Sequence, residues 1–102
     1  MTSNERSSDH RRLLFPIGAL IFSEGVDRLM REGRLDPMPY FQRHVRGDWG
    51  DLDDSDWQSN DTALRTGEDR LFSSYQVEPD LKLWIITECD RSVTTLLLPR
   101  EY

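Results

Sequence analysis

Residues 71–98 read LFSSYQVEPDLKLWIITECDRSVTTLLL, and they decide the fold. Leu71, Ser73, Tyr75 and Val77 alternate with Phe72, Ser74 and Gln76, the two-residue period of a pleated strand. Glu78-Pro79-Asp80 is turn chemistry. Leu81–Thr87 is a short run of aliphatic and aromatic residues suited to a second strand. Glu88-Cys89-Asp90-Arg91 reads as a hairpin turn, and Ser92–Leu98 as a further strand stopped by Pro99. Strands joined by so few residues predict a three-stranded antiparallel meander, with Leu83, Ile85 and Leu97 among its most buried positions.

Upstream of this stretch the period changes. Leu13–Phe22 is apolar and interrupted by Pro16 and Gly18, and is expected to add an N-terminal strand to the same sheet, with Pro16 near its start or on an edge. Ser23 can cap a short helix in which Val26, Leu29 and Met30 share a face and Gly33 offers a left-handed stop. Asp36-Pro37 marks a second helix start, with Asp36 as N-cap and Pro37 at the first helical position. Met38, Phe41 and Val45 follow on one face, and Gly47 ends the run. Residues 47–52 hold two glycines and two aspartates around Trp49, so they form a loop. A third helix is capped by Asp53, Asp54 or Ser55 and runs to about Thr66, with Gly67 beyond it. The order is therefore α+β: an N-terminal strand, three short helices, then the meander, with the helices on one sheet face. The expected organisation is a disordered tail over residues 1–12 and a single domain over 13–102.

Composition narrows the function. The 102 residues carry a net charge of −6, and charge is unevenly placed: residues 1–46 hold 8 Arg against 6 acids, residues 47–102 hold 5 basic residues against 13 acids. A net acid balance disfavours a general phosphate-backbone binder and suits a partner with a basic surface. A single cysteine, Cys89, permits no internal disulfide, which points to a reducing cytoplasm. No apolar run approaches a membrane span, and no signal-peptide pattern opens the chain.

The candidate chemistry lies in two places. Asp48, Asp51, Asp53, Asp54, Asp56 and Asp61 fall within residues 48–61, and no Lys or Arg occurs from Gly47 to Leu64. Such carboxylates can present a field resembling that of nucleic-acid phosphates to a basic protein. Acids near a helix start also favour its dipole and cap its N–H groups, so both readings stand at this level. A calcium loop counted from Asp51 puts Asp56 at position six and Thr62 at position twelve, where glycine and glutamate belong. The second place is the hairpin turn, where Glu88, Asp90 and Arg91 crowd together. His44 and Asp48 suit a base and its orienting partner. The alternative is a structural histidine hydrogen-bonded beneath a loop anchored by Trp49, whose indole should be buried and bonded through its N–H. With only two histidines, His10 and His44, no zinc set is available, and no cofactor is implied. Cys89 has no strongly basic neighbour except Arg91 and is not a reactive thiol. Phe72, Tyr75 and Trp84 read as sheet packing.

The chain from Phe15 to Tyr102 also resembles a family of small proteins carried on bacterial plasmids and other mobile elements, usually labelled plasmid-related or hypothetical. The resemblance rests on Phe15–Gly18, on His44–Leu52 and on Leu83–Tyr102; it departs at Cys89, where alanine is more usual, and around Trp57, where a polar residue is expected. It implies no catalytic residues. It implies a setting, the accessory gene neighbourhood in which anti-restriction and anti-CRISPR proteins are frequent.

Together these observations lead to an expectation of a non-enzymatic accessory protein that offers an acidic surface to a basic, nucleic-acid-handling protein, with no direct nucleic-acid contact. The contacts would come from Asp48, Trp49, Asp51, Asp53, Asp54 and Asp56 in the loop and helix start, and from Glu88, Asp90 and Arg91 in the turn. The alternative is a small nucleic-acid-acting enzyme or toxin centred on His44, Glu88 and Arg91.

Overall fold

The computed structural model describes residues 13–102; the tail expected over residues 1–12 lies outside them. The elements are β1 (Ala19–Phe22), α1 (Glu24–Arg31), α2 (Met38–Val45), α3 (Asp54–Thr66), β2 (Leu71–Glu78), β3 (Leu81–Thr87) and β4 (Val93–Leu97), closed by a 3₁₀ turn over Pro99–Glu101. Among the described residues no helix is long and apolar enough to cross a membrane.

β2, β3 and β4 form the antiparallel meander, with Ser73 opposite Ile85 and Ile85 opposite Leu96. The sheet is mixed, because β1 lies beyond β4 and runs parallel to it, giving the order β1-β4-β3-β2. The expected N-terminal strand is real but covers only Ala19–Phe22. Gly18 explains the shortening: its φ is +64° and a Cβ there would sit 2.1 Å from the Ser92 carbonyl oxygen. Only glycine makes that turn. Ahead of it, Leu14 N–H donates to Val45 O at 3.1 Å and Phe15 enters the core, so residues 13–17 strap the helices instead of extending the sheet.

All three helices pack on one face. Val26 and Leu29 of α1 meet Tyr75, Leu83, Ile85 and Leu96, while Val45 of α2 and Ala63 of α3 join Phe15, Trp49 and Leu71. Leu83, Ile85 and Leu97 are all buried, as their positions in the meander predict. The caps follow sequence for α1 and α3, where Ser23 accepts from Val26 N–H and Asp53 from Asp56 N–H. At α2 the cap falls one residue later than expected. Pro37 is the N-cap, because its carbonyl accepts from Tyr40 and Phe41, and Asp36 instead accepts from Met38 N–H at 3.2 Å in a local turn.

The outer edge of β2 is closed by two side chains and by the backbone of the Trp49 loop. Asn60 of α3 donates to Phe72 O at 2.6 Å and accepts from Phe72 N–H at 3.0 Å, imitating one residue of a neighbouring strand. Ser74 N–H donates to Trp49 O, Asp51 N–H donates to Ser74 O, and Gln76 N–H donates to the Asp51 carboxylate. Each outward backbone group so treated would otherwise be a template for another strand. Replacing Asn60 with Ala should lower stability by ~1–3 kcal/mol, because two partly buried backbone groups lose their partners. Amide exchange should accelerate selectively at Phe72, and an unchanged exchange rate there would remove Asn60 from this role.

Candidate functional site

The densest polar arrangement is buried. His44, on the inner face of α2, has no solvent exposure. Its Nδ1 lies 2.6 Å from Ser73 Oγ and its Nε2 lies 3.0 Å from Thr87 Oγ1. Thr87 Oγ1 is 2.8 Å from Thr94 Oγ1, which donates to Ile17 O at 2.8 Å. The carbonyl at the far end fixes the direction of the whole chain, since it can only accept. The Thr94 proton is committed to Ile17, so Thr94 accepts from Thr87. Thr87 then has no proton left and must accept from His44. His44 is therefore the Nε2–H tautomer, with Nδ1 accepting from Ser73. Burial pushes its pKa down to about 3, which keeps the ring neutral. A neutral imidazole sealed from solvent has no route to a substrate, so the histidine is a fastener of the fold, hydrogen-bonded under the Trp49 loop.

Trp49 closes the lid over this ring. It is wholly buried, stands edge-on to His44 at 5.5 Å between centroids and stacks on Phe15 at 6.3 Å. Its indole N–H donates to Asp61 at 2.9 Å. Gly50 permits the loop to pass, since its φ is +79° and a Cβ would lie 2.1 Å from the Ser74 carbonyl oxygen. Tyr75 adds a strut, its hydroxyl donating to Asp48 O at 2.7 Å.

The predicted acidic cluster divides by bonding. Asp48 takes Arg43 in a two-pronged pair at 2.7 and 3.2 Å and accepts from Gly50 N–H, and the Arg43 bond holds its carboxyl below the usual range. Arg43 in turn lies 4.7 Å over the Tyr75 ring. Asp51 serves the β2 edge, Asp53 the α3 cap and Asp61 the Trp49 indole. Asp54 and Asp56 sit in the first turn of α3, exposed, and their carboxylates make no hydrogen bond or ion pair among the described residues.

The hairpin turn is likewise occupied. Arg91, at φ +60°, donates to the carbonyls of Asp69, Glu88, Cys89 and Ala63, which ties the turn to the C-terminal end of α3. Asp90 accepts from Ser92 Oγ and N–H, bonds that hold its carboxyl low. Glu88 and Cys89 are exposed. His44, Asp48, Glu88 and Arg91 do not share a cleft: the first is sealed in the core, the second is paired with Arg43 and the last is spent on carbonyls. Among the described residues no group of three His, Cys, Asp or Glu side chains could hold a metal.

A further anchoring residue had, like Asn60, no signal in the sequence. Glu101 accepts from Ser23 Oγ, Gly25 N–H and Leu98 N–H, so the C-terminus caps α1. Burial would raise its carboxyl, but those three donors outweigh it and hold the pKa below its ordinary value. Comparison with protein-family models, curated proteins and solved structures returned no match.

Two outcomes follow. Because the folded ring titrates near pH 3 and a free histidine near 6.5, the unfolded chain alone takes up this proton between those values. Stability should therefore fall as pH drops from about 6.5, by up to ~1.4 kcal/mol per unit, and His44→Gln should flatten the part of that slope between about pH 7 and 5. Ring ¹⁵N shifts that titrate near pH 6 would overturn the sealed-ring reading. Trp49→Ala should cost ~3–5 kcal/mol by calorimetry or denaturant unfolding. An unchanged melting temperature would show that the loop does not need its indole.

Proposed function

We propose that the chain is a non-enzymatic binding protein that presents an acidic surface to a basic protein partner. The observation that carries this reading is the bonding census of the cluster. Asp54 and Asp56 are exposed on the first turn of α3 and, among the described residues, unbonded; they lie beside exposed Asp51 and Asp53, and no cation interrupts residues 47–64. Arg43 forms its ion pair with Asp48. The fold uses the other acids of this cluster, Asp48, Asp51, Asp53 and Asp61, and leaves these two without an internal task beyond the ~0.3–1 kcal/mol that each contributes to the helix dipole. A field of this sign steers a basic surface and repels nucleic acid. The resemblance to mobile-element proteins supplies the setting, and an anti-defence role against a nucleic-acid-handling complex is the form of this proposal that fits it. Asp54, Asp56 and Glu88 remain available for contact, Asp90 is held by Ser92, and Trp49 and Arg91 act by holding the loop and turn in place.

The test uses a double variant, Asp54→Asn with Asp56→Asn, which removes charge and preserves shape. It should melt within ~1–2 kcal/mol of the wild type, since only the two dipole contributions are lost. Affinity capture from a bacterial lysate by the wild type should enrich basic proteins and fail at about 1 M salt, where the screening length is ~3 Å. The variant should lose the same proteins at low salt. Equal capture by both chains at both salt concentrations would sink the proposal.

A further inference from the structure

The two edges of the sheet are finished differently. On β2, Asn60, Trp49 and Asp51 meet the outward groups of Phe72, Ser74 and Gln76. On β1, Ala19 N–H and Ser23 N–H donate to Ser92 O and Leu96 O, each at 2.9 Å, so residues 19, 21 and 23 turn their backbone toward β4. By the alternation of a strand, the N–H and C=O of Leu20 and Phe22 point away from the sheet. Among the described residues nothing bonds to them. Leu20 is 37% exposed and Ile21 45%, and with Leu13 and Leu14 they are all the exposed leucines and isoleucines of the described chain. The strand Ala-Leu-Ile-Phe carries no charge, proline or bulge, the devices that ordinarily guard an edge.

We propose that β1 pairs with β1 of a second copy, antiparallel about a two-fold axis at Ile21, so that two sheets become one. This register places Leu20 opposite Phe22 of the partner subunit, and each such pair exchanges N–H···O bonds in both directions. Every outward group of both strands is then satisfied. Ile21 meets Ile21 of the partner subunit at a close pair on the face opposite the helices, where the two exposed side chains cover each other. A two-fold joint is self-complementary and closes, whereas a head-to-tail joint would leave an edge open and propagate.

Two features favour a second copy as the occupant. The acids of α3 and its preceding loop lie along β2, the opposite edge, so two chains of net charge −6 approach at a stretch without charge. Residues 1–12 contain one apolar residue, Met1, so their sequence offers no apolar match to Ala-Leu-Ile-Phe. A four-residue strand falls short of the ~1,200–2,000 Å² of a standard interface, so the dimer is weak and depends on concentration. The proposal stands independently of the acidic surface.

Sedimentation velocity on the full chain from about 1 μM to 1 mM spans the relevant affinities. The wild type should pass from monomer to dimer in this range, with Leu20 and Phe22 amides protected from exchange only at the dimer concentrations. Ile21→Lys places a charge on the exposed pair. Leu20→Pro deletes one outward N–H that β4 does not use. Both should stay monomeric and, at low concentration, melt like the wild type; should the proline variant not fold, the lysine variant decides alone. A wild type monomeric throughout, or a dimer that Ile21→Lys retains, would overturn the proposal. So would protection of the two amides in the monomer, which would mean that the same chain covers the edge.

Discussion

The direction of one hydrogen-bond chain organises this fold. From Ser73 through His44, Thr87 and Thr94 to the Ile17 carbonyl, it joins β2, α2, β3, β4 and the strap before β1. Each hydroxyl has one proton, and the terminal carbonyl can only accept, so the pattern has a single solution. A buried polar network is costly when half satisfied and specific when complete. Here every member is paired, and among the described residues no buried side-chain nitrogen or oxygen lacks a partner. The network therefore selects one register for the meander. Shifting β3 by one residue would turn Thr87 to the other face and leave His44 with an unmet nitrogen.

The same constraint explains the neighbouring loop. An imidazole held neutral at the centre of a small domain must be kept from water, and Trp49 does this from one side while Phe15 does it from another. The loop cannot be short of glycine, because Gly50 crosses the Ser74 carbonyl too closely for any side chain. Once Trp49 is fixed, Asp51 falls beside β2 and closes its edge, and Asp61 receives the indole N–H. Acids that look like a surface feature in composition are in large part consequences of burying one tryptophan.

The meander, the caps of α1 and α3, the buried Trp49 and the structural His44 were legible in the sequence, because each depends on local period or on a residue type with few ways to be satisfied. Alternation in Leu71–Val77 and capping by Ser23 and Asp53 are of this kind. What was not legible depends on partners distant in the chain. Gly18 was visible as an interruption, but its contact with Ser92, which cuts β1 to four residues, was not. The parallel placement of β1 beside β4 follows from the strap made by Leu14 and Phe15, which no period announces. Glu101 reaches α1 across 76 residues to Gly25, and a Cβ at Gly25 would meet that carboxylate at 2.8 Å. Asn60 reads as an ordinary helix residue until Phe72 is beside it.

The division of the acids also bears on how a small protein separates folding from recognition. Arg91 shows the folding side: a guanidinium that sequence alone offers as a contact residue or as part of an enzyme centre is spent on four carbonyls and holds the end of α3. Asp48 is spent on Arg43, an exposed pair whose net contribution is small but which neutralises its charge locally. Charge that is bonded inside a fold is a poor instrument for binding, because a partner must first break the internal bond. Asp54 and Asp56 differ in that respect. They sit where the helix dipole favours them but does not require them, so their charge stays open to solvent. The two side chains can therefore be exchanged without disturbing the His44 network, since among the described residues no bond links their carboxylates to the core.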